Sequence, residues 1–390
     1  MRLIFMLAKR SMNYSNFFVA GAFLLTLFSF KNSVEKYNAF YPDELWKDNN
    51  GVHINAHGGG MLYHEGLYYW YGEHKIAGTE GNKAHVGVHV YTSKDLYNWT
   101  DQGIALSVDS ENTKSDIAKG CILERPKVIY NKKTGKFVMW FHLELKGMRY
   151  TAARSGVAVA DSPTGPFTFV KSLRPNKGKW AVNAKDFHKQ TISSASTVTR
   201  STLHGIRDPQ KIDSLNVMGR DFKGGQMARD MNLFVDDDGK AYHIFSSEEN
   251  TTTHIAELSD DYLSHTGKYV RCFVGMYMEA PTLFKTSKGK YYFIGSGCTG
   301  WRPNTARSAV ADDLFGPWKR LGNPCVGEKA KTTFDSQSTY VLPVQGKKDT
   351  FIFMADRWTP NNAIDGRYIW LPIYFEGEKP QIKWLDKWSL

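Results

Sequence analysis

The chain has 390 residues, enough for one large domain or two ordinary ones, and 14% of them are aromatic, with 11 Trp and 20 Tyr. Aromatics in this number, beside so many Gly-centred turns, favour an all-β protein over a helical one. The formal net charge of +11 is largely local, since Lys171 to Lys223 hold 11 Lys/Arg against 4 Asp/Glu; with no RNA-binding aromatic-basic signature, zinc spacing or phosphate loop beside it, this excess reads as a solvated basic insertion and not as a nucleic-acid surface.

Arg2, Lys9 and Arg10 open the chain with positive charge, and Phe17 to Phe30 follow as an apolar run. That run suits a signal-peptide core and falls short of the ~20 residues of a spanning helix. No Cys closes it, so a lipoprotein cleavage site is absent. Residues 1–33 are therefore expected to be a signal peptide, with an uncleaved anchor as the alternative. The mature protein is expected to be exported, periplasmic or extracellular, with no stable membrane span.

Five hairpins come next. They are "GGMLYHEGLYYWYGE" from residue 59, "PKVIYNKKTGKFVMWFH" from 126, "MNLFVDDDGKAYHIFSS" from 231, "PTLFKTSKGKYYFIGS" from 281 and "STYVLPVQGKKDTFIFMAD" from 338. Each joins a short apolar run to an aromatic one across a turn rich in Gly, Lys, Asp or Asn. A second element follows most of them: a strand, a Ser/Asp turn and often an aromatic, as in "VHVYTSKDLYNWT" and "VAVADSPTGPFTF". Two hairpins per unit make a four-stranded sheet, and repeated four-stranded sheets predict the blades of a β-propeller. Only the interval from 126 to 231 is too long for one blade. Its excess, at about 171–225, is polar, basic and poor in strand signal, so it reads as a long insertion after blade two, a loop or small subdomain. Residues 34–390 thus predict an all-β, five-bladed β-propeller, with an ordinary sandwich as the alternative. Cys121, Cys272, Cys298 and Cys325 match no metal spacing; three pairings are open to them, and buried free thiols serve as well. Asp236, Asp237 and Asp238 are turn residues, because "DDDG" lacks the remaining ligands and closing Glu of a calcium loop.

In a propeller the innermost strands line the axis, so residues at their axial starts meet around one funnel. Here those positions hold His57, Glu124, Arg229-Asp230, Glu279 and Gln337, and the second strands return to the same rim with Glu73, His142, Glu248 and Arg357-Trp358. Structural readings stand beside functional ones: Asp230 can pair with Arg229 or Arg125, Glu73 with Lys75, and His57 can be a buried, hydrogen-bonded imidazole. An acidic concavity lined by Trp and Tyr suits a sugar. Inverting glycoside hydrolysis needs one protonated carboxyl for the leaving oxygen and a base for water on the opposite face. Crowded anions raise one carboxyl's pKa toward neutrality.

From Gly51 to the C-terminus the chain resembles glycoside hydrolase family 43, through "AHGGGMLYHEGLYYWYGEHK", "LERPKVIYN", "RDMNLFVDDDGKAYHIFSS", "MEAPTLFK" and "FDSQSTYV". The resemblance implies a five-bladed propeller and inversion, with Glu279 as general acid. The family's usual Asp base in blade one is missing from "INAHGGG". In this the chain is similar to the exo-β-1,3-galactanase branch, whose Gln in the fifth blade matches Gln337. The resemblance implies that Gln337 orients water or acts as an imidic-acid base, and that Glu124 is a substrate-binding carboxylate near the reaction centre. Glu73 and Asp230 are expected to bind sugar hydroxyls, with His57, Tyr71, Arg357 and Trp358 as further substrate contacts. No metal or cofactor is expected. The expected substrate is a galactose-containing poly- or oligosaccharide. An arabinofuranosidase or β-xylosidase of the same family is the alternative activity, and a non-catalytic glycan-binding propeller the alternative class.

Overall fold

The computed structural model describes residues 36 to 390, so the expected signal peptide, with Arg2, Lys9, Arg10 and Phe17–Phe30, lies outside the described residues. Five antiparallel sheets follow one another along the chain. Blade one is β1 (His57–His64), β2 (Leu67–His74), β3 (Gly87–Ser93) and β4 (Thr100–Ser107). Blade two is β5 (Ile122–Asn131), β6 (Lys136–Glu144), β7 (Arg154–Ala160) and β8 (Thr168–Leu173). Blade three is β9 (Met231–Val235), β10 (Ala241–Ser247), β11 (Thr252–Leu258) and β12 (His265–Cys272), and blade four is β13 (Glu279–Lys285), β14 (Tyr291–Ser296), β15 (Arg307–Ala311) and β16 (Lys319–Gly322). Blade five has a short extra strand, β17 (Cys325–Val326), lying parallel to β21 (Lys379–Lys383) outside β18 (Gln337–Pro343), β19 (Phe351–Arg357) and β20 (Arg367–Glu376). The first strands β1, β5, β9, β13 and β18 adjoin one another in a closed ring around the axis. The chain is thus the five-bladed propeller that the hairpin repeat predicts.

Strand periodicity explains the core. In β2, Tyr69 and Tyr71 face blade two, and Tyr68 and Trp70 face blade five, so both faces of the sheet are buried. The same alternation in every blade makes five hydrophobic clusters, one for each interface between neighbouring blades. The ring closes without strand exchange. The seam between blades five and one is packed with Phe40, Trp70, Trp99 and Trp370, and Phe40 and Trp388 exchange backbone hydrogen bonds of 2.8 and 3.2 Å across it.

The insertion starts at residue 174, a little later than the composition indicates, because Lys171 and Ser172 pair with Val157 and Gly156 in blade two. It carries five short helices, α1 (Asp186–Gln190), α2 (Ile192–Ala195), α3 (Arg200–Leu203), α4 (Pro209–Ser214) and α5 (Val217–Arg220). Val198, Leu203, Ile212 and Val217 form a small core of its own. A buried ion-pair network ties it to blade three. Arg271 donates from Nε and Nη2 to Glu248 at 2.6 and 2.7 Å, and from Nη1 to Asp213 of α4 at 2.7 Å. The four cysteines are free thiols, three of them buried.

Candidate active site

A repeated backbone device aims the polar residues at the axis. The β1–β2, β5–β6 and β13–β14 ladders slip just after His57, Glu124 and Glu279. The next residue in each case, Gly58, Arg125 or Ala280, is left-handed, with φ of 60°, 54° and 52°. Such a bulge bends the strand and re-aims the side chain at its edge. In the "ERP" and "EAP" stretches proline follows the left-handed residue, at a place in the slipped ladder where its missing N–H costs no hydrogen bond. The equivalent position of blade one has no room for a side chain: a Cβ on Gly58 would lie 2.1 Å from Glu73 Oε1. The carboxylate of Glu73 thus fills the space beside the backbone at the point where "INAHGGG" offers no acid.

Glu73, Glu124, Asp230, Glu279, Gln337 and Trp358 all line one cavity of about 250 Å³ at the axis. Arg125 is its hub. Its Nε lies 3.0 Å from Asp230 Oδ2, its Nη2 donates to Gln337 Oε1 at 2.6 Å, its Nη1 donates to the Ser338 carbonyl at 2.9 Å, and its backbone N–H donates to Glu73 Oε1 at 2.9 Å. A guanidinium only donates, so the Gln337 atom facing it is the amide oxygen. Gln337 Nε2 then donates to Ser296 Oγ at 2.9 Å, and Ser296 directs its own proton to the Gly297 carbonyl at 3.0 Å.

The carboxyls separate electrostatically. Burial and the charge of Asp230 push Glu279 up to about 7, against the hydrogen bonds it accepts at Oε1 from Cys298 Sγ (3.0 Å) and Asn250 Nδ2 (2.8 Å). Both partners crowd Oε1, leaving Oε2 to carry a proton into the cavity. Burial would raise Glu124 too, but His142 at 3.0 Å, Lys75 and the Tyr150 hydroxyl at 2.7 Å overcome it and hold Glu124 at about 2. Burial works against the charge on His142, yet Glu124 and Glu144 on its two sides raise it to about 9. Ligand atoms of Glu124, His142 and Asp230 lie within 4.8 Å of one another. His142 donates from both nitrogens and Asp230 is paired with Arg125, so these atoms complete an ion-pair network and leave little donor capacity for a cation.

Three expected sugar contacts are corrected. His57 is fully buried, stacked on Tyr368 at 5.4 Å and covered by the backbone of Gly366; burial and Lys75 keep its ring neutral, and neither ring nitrogen has a hydrogen-bond partner among the described residues. Tyr71 is also fully buried, because strand alternation puts it with Tyr69 in the interface to blade two, where its hydroxyl donates to the Pro163 carbonyl. Arg357 is drawn away from the axis by the Asp43 carboxylate and the Phe334 carbonyl (2.8 Å) and borders a side cleft beyond Gln337 and Trp358. Glu248, placed on the rim by its register, is buried under Arg271 and His254. Tyr150, Asn250, Trp301 and Arg200 also line the cavity, although no hairpin pattern marks them. They stand on loops and on α3, where the only signal in the sequence is residue type.

The model of the glycosyl hydrolases family 43 matches residues 213–367. Among solved structures, a family 43 β-1,3-galactosidase with galactodeoxynojirimycin is 53% identical, the match covering 90% of this chain and 100% of that one with a TM-score of 0.84. An exo-β-1,3-galactanase from Phanerochaete chrysosporium with β-1,3-galactotriose is 30% identical, covering 91% of this chain and 68% of that one, with a TM-score of 0.71. A curated relative, a β-D-galactofuranosidase of Aspergillus niger, is 29% identical over 130 residues, which are 30% of this chain and only 37% of that protein.

Proposed function

The chain belongs to glycoside hydrolase family 43, and from that premise we propose that it is an exported, inverting exo-enzyme that hydrolyses β-1,3-linked galactan and releases galactose. One observation carries the reading. A carboxyl raised to about 7, Glu279, shares a cavity with an amide, Gln337, fixed by a guanidinium at 2.6 Å, and blade one has no room for a further acid. The likeness to a β-1,3-galactosidase along that protein's whole length supports the same substrate class.

Glu279 gives its proton to the glycosidic oxygen as the bond to the anomeric carbon breaks. Water attacks from the opposite face, oriented by Gln337. An ordinary amide is a very poor base, and both hydrogen bonds of Gln337 fit the amide form, so its part is to hold the water. The water's proton leaves toward the anionic side of the cavity, where Glu124 stays ionised. Glu73, Asp230 and Trp358 bind the sugar, the first two by accepting from hydroxyls and the last by its ring face. Incubation with β-1,3-galactotriose, beside aryl galactopyranoside, galactofuranoside, arabinofuranoside and xyloside, tests the assignment. Galactose should be released stepwise, first as the α-anomer. Turnover of the pentosides alone would overturn it, and binding without turnover would make the protein a glycan-binding module.

The basic start and the Phe17–Phe30 run support export, and no helix among the described residues is long and apolar enough to cross a membrane. Fractionation of the producing cells should find the protein outside the cytoplasm, shortened near Ser33.

A further inference from the structure

The cationic side chains around the cavity pair with carboxylates, with one remainder. Lys75 lies 2.5 Å from Glu73, Arg125 3.0 Å from Asp230, Arg229 3.2 Å from Glu249 and His142 3.0 Å from Glu124. Arg200 lines the same cavity, is exposed, and forms no ion pair with any described residue. It comes from the insertion, where basic residues outnumber acidic ones 11 to 4 between Lys171 and Lys223.

Its backbone is not free to carry it away. Thr199 caps α3, Arg220 holds the Val198 carbonyl at 3.1 Å, Tyr277 holds the Leu203 carbonyl at 2.8 Å, and Val198 and Leu203 are packed in the insertion's core. Trp301, 49% exposed and 6.1 Å from Trp358 in an edge arrangement, lines the cavity as well. The cavity therefore presents an exposed aromatic surface for a sugar ring together with an unspent guanidinium. Neutral galactose does not need the guanidinium's charge. A carboxylate or sulfate does, because a bidentate, charge-assisted hydrogen bond to such a group is about twice as strong as a neutral one.

We propose that Arg200 is a specificity-determining residue that binds an anionic substituent, a carboxylate or a sulfate ester, on the galactan, and so makes acidic galactan a preferred substrate. This rests on the galactan reading above, and the two are separable by experiment. The substrates are neutral β-1,3-galacto-oligosaccharide and the same oligosaccharide bearing a uronic acid or a sulfate beyond the terminal galactose. The readout is kcat/KM at low and high salt for the wild type, Arg200→Gln and Arg200→Lys. The wild type should favour at least one acidic substrate by about five- to tenfold at low salt, with the advantage shrinking at high salt as exposed charges are screened. Arg200→Gln should remove the advantage and leave the neutral substrate unchanged, and Arg200→Lys should keep part of it. Comparison of the uronic acid and sulfate arms identifies the anion. Equal losses on neutral and acidic substrates, or no loss on either, would overturn the proposal. If the wild type releases no galactose from the neutral substrate, the galactan reading fails by itself. The affinity of Glu279→Gln for the acidic and neutral oligosaccharides, with and without Arg200→Gln, then still decides the role of Arg200.

Discussion

In the proposed mechanism Glu279 and Gln337 divide the chemistry of hydrolysis between a group that holds a proton and a group that holds a water. Glu279→Gln keeps the shape and removes the proton, so turnover of galacto-oligosaccharide should fall by ~10²–10⁴-fold. Loss on an aryl galactoside with an acidic phenol should be much smaller, and comparison of the two rates checks it. Because Glu279 is raised to about 7, it is protonated below that pH and loses its proton above it, so kcat/KM on oligosaccharide should decline through pH 7. Glu124 at about 2 stays ionised well below that, and the acidic side of the profile should show no fall from it down to about pH 3. Gln337→Ala should slow both substrate classes alike, and added azide should restore turnover of the aryl substrate with an inverted glycosyl azide as product; activity near that of the wild type would move the water to Glu124. The place of Glu279 and Gln337 at the cavity was legible in the sequence because each opens an apolar strand in a recurring context. His57 and Tyr71 were misread on depth: His57 stands at the same register as Glu124 and Glu279, and Tyr71 shares a strand face with Glu73, but Tyr368 and Gly366 cover the first and blade two covers the second, and such covering partners come from distant parts of the chain.

At the level of elements, the loop between β10 and β11 links the insertion to Glu279. Glu248, Glu249 and Asn250 are three consecutive left-handed residues, with φ of 51°, 57° and 65°, a conformation that neighbouring contacts must hold. Arg271 grips Glu248, Arg220 of α5 grips Glu249 at 3.0 Å, and Asn250 then reaches Glu279 at 2.8 Å. Arg271→Met would leave Glu248 and Asp213 as buried acids without their main partner. It should destabilise the protein by ~3 kcal/mol or more, measured by chemical denaturation, and lower kcat on oligosaccharide by loosening Asn250. The composition of the insertion revealed its length and charge. Its helices are too short for a periodic signal, and its attachment through Arg271 joins residues far apart in the chain, so neither was legible.

The whole molecule was the most readable scale, because five repeats of one hairpin pattern leave few architectures that bury both faces of every sheet. The fifth blade's parallel strand β17 escaped that reading: two residues carry no alternation, and a parallel partner arrives from beyond the repeat. The way the ring is shut also escaped it. Phe40 and Trp388 lie outside all five hairpins, and nothing in either local sequence signals the other.

That seam has a consequence for the connectivity of the chain. The backbone N–H of Tyr37 donates to Asn98 Oδ1 at 2.9 Å, and the backbone N–H of Leu390 donates to the Tyr97 hydroxyl at 2.7 Å, so the two ends of the described chain dock on adjacent residues. The order in which the blades are threaded is therefore interchangeable. A circular permutant with Leu390 joined to Lys36 by a short Gly/Ser linker, and new ends opened at the exposed Asp237–Gly239 turn, should fold and hydrolyse substrate with kcat/KM close to that of the parent. Blade three would then be assembled from both ends of the polypeptide, and backbone ladders would lock the circle where tryptophans do so now. Thermal unfolding of permutant and parent, side by side, would measure how much the aromatic closure gives up to a hydrogen-bonded one.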